Sequence, residues 1–144
     1  MKPKQFLSQL DHDRIVAAIA DAERQTSGEI RVFVSRRAVN DAIGAAARQF
    51  EKLQMQKTGQ RNAVLIFVAP RSQTFSIIGD QAIHAKCGDS FWNEVAGEMT
   101  GLLKQQKFTD GIVHGIQTSG RLLALHFPCK PDDRNELPDS VVEK

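Results

Sequence analysis

Seven consecutive apolar residues, Ala63 to Ala69 (AVLIFVA), constrain this chain more than any other stretch. The run is far too short to span a membrane and shows no alternation. It reads as a strand apolar on both sides, which belongs in the middle of a sheet with helices on both faces. The flanking residues supply the rest of that sheet. Pro70-Arg71-Ser72-Gln73 is a turn signal, because proline presets the backbone for the first central position of a turn. Thr74 to Ile78 then returns antiparallel, with Phe75 and Ile77 alternating with Thr74 and Ser76 as suits an outer strand.

Upstream, Ile30 to Ser35 alternates, with Ile30, Val32 and Val34 on one side and Arg31 and Phe33 on the other. Between the two strands, Asn40 or Asp41 caps a helix whose apolar residues Ile43, Ala46, Ala47, Phe50 and Leu53 recur every three to four positions. It ends at Thr58-Gly59. Strand, helix, strand makes a βαβ unit, and the right-handed crossover rule makes its strands parallel.

Residues 8–25 predict a further helix, capped by Ser8 or Asp11 and striped with Ile15, Ala18, Ile19 and Ala22. Thr26-Ser27-Gly28 stops it. After the hairpin the periodicity is helical. Asp89 or Ser90 caps a helix with Trp92, Val95, Met99, Leu102 and Leu103. Thr109 or Asp110 opens another, with Ile112, Ile116, Leu123 and Phe127, which Pro128 ends. Gly111, Gly115 and Gly120 each cost up to about 1 kcal/mol against alanine in a helix interior, so close approach to a neighbour is expected there. The expected fold is α/β: a three-layer α-β-α sandwich around a small mixed sheet, with a helical second half. One domain covers residues 1–128, and the polar stretch 129–144, with two prolines, is expected to be a flexible tail or to lie along the surface.

Composition narrows the function classes. A net charge of +2, no tyrosine and one tryptophan give neither the basic stripe nor the aromatics of a nucleic-acid binder, so no nucleic-acid partner is expected. No membrane span is present, and MKPKQFLSQLDHD lacks the apolar core of a signal peptide, so a cytoplasmic location is expected. Cys87 and Cys129 have no CxxC spacing and read as free thiols. There is no phosphate-binding glycine loop, no HExxH, no GxSxG and no metal-spaced Cys/His set.

Topology points to where chemistry would sit. With the third strand reversed, the edge where the first two strands begin collects Ser27, Gly28 and Glu29, then Arg61 and Asn62, then Gly79 and Asp80, with His84 and Asp89 close behind. Carboxylates of this kind suit a hard divalent cation, and an arginine suits a phosphate. Each residue also has a plainer role. Asp80 follows a strand-ending glycine and equally reads as a helix cap; Glu29 reads as a surface carboxylate or a partner of Arg61; Asp89 reads as the cap of the tryptophan helix. His84 is more often a hydrogen-bonded, half-buried side chain than a ligand, and Trp92 reads as core. The opposite edge carries Arg36, Arg37, Asn40 and Asp41 from one loop and Arg71, Ser72 and Gln73 from the hairpin. That set suits an anion but more often forms a solvated basic loop. His12, His114 and His126 have no matched partner in the pattern.

The ordered segments AERQTSGEIRVFV, FEKLQMQKTGQRNAVLIFVA, FSIIGDQAIHAKCGDSFW, FTDGI and LLALHFP resemble the TPM domain family, which includes a thylakoid-lumen protein of photosystem repair and a modulator of acetylcholine receptors. The resemblance covers about Ala22 to Pro128, and NELPDSVVEK resembles the end of short bacterial members. It implies an α-β-α sandwich. It also implies that some members act as acid phosphatases, that some bind calcium through acidic loops, and that most have no assigned reaction. Gly79-Asp80 and Ile83-His84 match the family's loop after the hairpin, and Ser27-Gly28-Glu29 matches the start of its first strand. Gln81 and Ala82 stand where the family has a more acidic or glycine-containing loop.

Two functions are therefore expected. The first is a non-enzymatic binding or accessory module that contacts a protein partner and holds a calcium or magnesium ion at the Glu29–Asp80 edge. The alternative is a metal-dependent phosphatase of phosphomonoesters. In it Glu29, Asp80 and Asp89 hold the ion, Arg61 and Asn62 bind phosphate, and His84 with Asp80 carries the catalytic proton chemistry. No organic cofactor is expected.

Overall fold

The computed structural model describes residues 1–128 and 141–143 of the chain. The apolar run forms strand β2 (Val64–Ala69), all six residues of which are buried. On one side lies β3 (Thr74–Gly79), antiparallel to it; on the other lies β1 (Ile30–Val34), parallel to it. A fourth strand, β4 (Val141–Glu143), runs parallel along the far side of β1, which gives the order β3-β2-β1-β4.

Each sheet face has its own core. Ile30, Val32, Val34, Val64, Ile66 and Val68 face helices α2 (His12–Glu23), α4 (Gln81–Lys104) and α5 (Phe108–His126), where they meet Ile15, Ile19, Met99, Ile112 and Ile116. Phe33, Leu65 and Phe67 face the other way, onto Ala46 and Phe50 of α3 (Ala42–Lys52) and Met55 of a short 3-10 turn, Met55–Lys57. Phe33 and Phe67 stack across the two strands, with ring centroids 5.6 Å apart and planes 10° from parallel. Burying such side chains contributes about 1.5–3 kcal/mol each, which is why a run apolar on both sides settles between two layers of helix. The fold is the expected three-layer α/β sandwich.

Close approach at the glycines is present. A Cβ at Gly115 would lie 2.7 Å from the Met99 sulfur, and one at Gly120 would lie 2.7 Å from the Ala22 Cβ. These gaps let α5 settle against α4 and α2.

Three features differ from expectation. A helix not expected, α1 (Pro3–Ser8), precedes the expected one and buries Phe6, and α2 begins after Asp11, one of its two expected caps, which accepts the Arg14 N–H at 3.1 Å. The long helix α4 is broken at Gly88, whose φ of 74° and ψ of 176° suit glycine, so the break falls one residue before the expected caps. No strand is expected in the polar stretch 129–144, read as flexible or lying along the surface, and there Val141–Glu143 pairs with Val32–Val34, satisfying backbone groups that an edge strand would leave open. Residues 129–140 and 144, with Cys129 among them, lie outside the described residues. Among the described residues, no helix is long and apolar enough to cross a membrane.

Candidate functional site

The three loops at the starting edge of β1 and β2 are stitched together through their backbones. Val64 donates its N–H to the Glu29 carbonyl at 2.8 Å, Asp80 to the Ala63 carbonyl at 2.9 Å, and Ala82 to the Arg61 carbonyl at 3.0 Å. Glu29, Arg61, Asn62 and Asp80 therefore do share one edge, as the reversed hairpin requires. Arg61 takes a left-handed conformation, with φ 53°.

The side chains there are committed to one another. Arg61 donates from Nε to Asp80 Oδ2 at 2.7 Å and from Nη2 to Asp80 Oδ1 at 2.9 Å, a two-bonded fork. Asp80 Oδ1 also accepts the Gln81 N–H at 2.8 Å, which makes it the N-cap of α4. The Asp80 side chain is 5% exposed against 41% for Arg61, so the pair has one buried and one open partner. The hydrogen bond to Asp80 raises the guanidinium pKa above its ordinary value, partial desolvation works against this, and the carboxylate charge adds to the rise. Arg61 thus remains a cation throughout the accessible pH range.

Asn62 is buried, and its Nδ2 donates to Ser27 Oγ and Gln60 Oε1, each at 3.2 Å. Its amide joins the two loops that precede β1 and β2. Glu29 is 2% exposed, deep in the same edge. His84 and Asp89 form a separate pair on α4, with Nε2 3.3 Å from Oδ1 and side chains 50% and 87% exposed. Asp89 follows the Gly88 break and so stands in the first turn of the longer helical piece, where a carboxylate favours the helix dipole. Among the described residues, no three of His, Cys, Asp and Glu come together as a group able to hold a metal ion.

Gly79 fixes how the edge sits on the core. A Cβ there would come within 2.6 Å of Ile83 and of the Trp92 ring, so the strand end lies directly on α4. Trp92 is core, as its spacing suggested.

At the opposite strand ends, the polar residues also close loops. Arg71 Nε donates to the Arg36 carbonyl at 3.0 Å, Ser72 Oγ accepts the Val39 N–H at 2.7 Å, and Asp41 caps α3 by accepting the Gly44 N–H at 3.0 Å. Beside them, a groove of about 570 Å3 opens where the end of β2, the start of β3, α1 and the corner between α4 and α5 meet. Sequence reasoning missed this groove. Its walls come from three separate places in the chain, one of them the unforeseen α1. The only signal was the cluster of Val68, Ala69 and Pro70 beside Phe75 at one turn.

Comparison with known proteins agrees with this architecture. A model of the TPM domain family matches residues 1–122. The solution structure of the BA42 protein from the psychrophilic bacterium Bizionia argentinensis is 40% identical, with a TM-score of 0.85 and 92% of each chain covered. The N-terminal domain of the cg2496 protein from Corynebacterium glutamicum shares the fold alone, at 16% identity and a TM-score of 0.58, over 92% of this chain and 77% of that one. No curated protein gives a significant match. With most of its length matched by the family and two structures of the same fold beside it, the chain belongs to the TPM domain family.

Proposed function

We propose that this TPM domain is a non-enzymatic binding module rather than a phosphatase. The Arg61–Asp80 fork is the observation that supports the reading. An arginine that binds phosphate must turn its N–H fork toward the ligand, and a carboxylate that holds a metal or moves a proton must present its oxygens. Here each group spends those atoms on the other, and the carboxylate also caps α4. A calcium or magnesium ion at the Glu29–Asp80 edge therefore enters by exchange with Arg61. The partner is a protein, met in the cytoplasm, where the free thiol of Cys87 is at home.

The test is hydrolysis of a chromogenic aryl phosphate by the purified chain across the acid and neutral range, with calcium, magnesium or manganese. The expected rate equals that of buffer and metal alone. Turnover that disappears in His84→Ala, a substitution at a half-exposed position, would overturn the reading in favour of the phosphatase.

A further inference from the structure

The groove at the carboxyl end of β2 lies at the opposite strand ends from Arg61 and Asp80 and shares no residue with that edge. Open α/β sheets commonly bind ligands beyond the carboxyl ends of their parallel strands. At about 570 Å3 the groove falls within the range of roughly 300–1,000 Å3 typical of small-molecule sites.

Its lining has two chemically distinct parts. Phe6, Val68, Phe75, Leu103 and Phe108 supply apolar walls, with the Phe6 and Phe108 rings 4.9 Å apart. Filling such walls with hydrocarbon releases water that they hold poorly. The exposed part of the lining includes Gln73, Lys104 and Gln106. Lys104 is the one charged side chain among the described lining residues, and no carboxylate pairs with it among the described residues. Gln73 and Gln106 hold left-handed backbones, with φ of 50° and 60°. Non-glycine residues in that region cost of order 1–3 kcal/mol and gather at functional sites. Two of the four such residues in the described chain line this one groove.

We propose that the groove binds an amphipathic monocarboxylate, with its hydrocarbon chain between the phenylalanines and its carboxylate paired with Lys104. The Met1 ammonium also lines the groove but donates to the Pro70 carbonyl at 3.4 Å, so Lys104 is the cation left to meet a single negative charge. A phosphate ester, with up to two charges and three acceptor oxygens, is better met by an arginine fork, which this lining lacks. The amide groups of Gln73 and Gln106 are the available donors for the second carboxylate oxygen.

An NMR titration of the full chain with decanoate below its micelle concentration tests this, with acetate and decanol as controls. Decanoate is expected to move the signals of Val68, Phe75, Leu103 and Phe108, while acetate leaves them in place. Decanol, with the chain but no charge, is expected to bind up to about fivefold more weakly, the order of an exposed ion pair. Lys104→Glu is expected to weaken decanoate about tenfold, whereas Lys107→Glu, exposed and outside the lining, leaves affinity unchanged. Unmoved groove signals would overturn the site. Decanol binding as tightly as decanoate, or a Lys104→Glu variant as good as wild type, would overturn the assignment of an anion.

Discussion

Arg61 and Asp80 join the loop ahead of β2 to the first turn of α4 through a single carboxylate, which accepts from the guanidinium on both oxygens and from the Gln81 amide on one. Two segments 19 residues apart thus share one anchor. A residue retained for chemistry often costs stability, and its removal then stabilises the fold. A residue that caps and pairs does the reverse. Asp80→Ala is expected to lower stability by about 1–2 kcal/mol from the lost cap alone. Asp80→Asn keeps an acceptor and should lose less. Urea unfolding of the two variants checks this, and a stabilised Asp80→Ala protein would contradict the structural role.

Calcium at this edge has to take Asp80 from Arg61. A titration is therefore expected to move the Arg61 Nε–H and the Gln81 amide resonances together, at one apparent affinity. Binding that shifts other loops and leaves both resonances in place would remove the Glu29–Asp80 edge as the cation site.

Gly79 and Gly88 resist substitution for different reasons. At Gly79 a methyl group meets Ile83 and Trp92 at 2.6 Å, so Gly79→Ala is expected to cost about 1–3 kcal/mol through overpacking. At Gly88 nothing lies within 4 Å of the added carbon, and the cost of Gly88→Ala is backbone strain, of order 1–3 kcal/mol. A Trp92→Phe background should relieve part of the first, since the contact with Ile83 remains, and leave the second unchanged. Melting temperatures of the four variants distinguish the two mechanisms.

Burial pushes the Cys87 thiol above its ordinary pKa. Because the folded value exceeds the unfolded one, the associated stability is complete below the unfolded pKa and is lost as pH rises through the folded one. In a Cys129→Ser background, alkylation of Cys87 by iodoacetamide is expected to be slower than that of a free thiol at mildly alkaline pH, and unfolding should become easier as pH climbs past the ordinary thiol value. An alkylation rate matching that of a free thiol would contradict the burial effect.

The parts of this fold that were legible in the sequence are those fixed by long, periodic stretches. Ala63 to Ala69 could be placed inside a sheet because seven apolar residues without a period have few other destinations. The shared edge of Glu29, Arg61 and Asp80 followed from strand direction alone. What escaped was decided by pairing rather than pattern. Val141–Glu143 is too short to announce itself, and it becomes a strand because β1 offers an open edge. Phe6 marks α1 only once a core exists to receive it. Asp80 shows the limit best, since a cap, an ion-pair partner and a metal ligand are the same residue type after the same glycine. Only the position of the Arg61 fork separates them. Asn62 likewise read as an anion donor, and its buried amide instead ties Ser27 to Gln60.

The break at Gly88 divides α4 into two pieces with different anchors. The longer piece is held by Trp92, Val95 and Met99 in the core, and the shorter by Ile83 and the Asp80 cap. With a non-helical residue at the joint, the shorter piece is expected to open while the longer stays folded. Amide protons of residues 81–87 then exchange with solvent deuterium through a cheaper opening than those of residues 92–104. The surface that carries His84 becomes the part of the helix most easily reshaped when something binds to it.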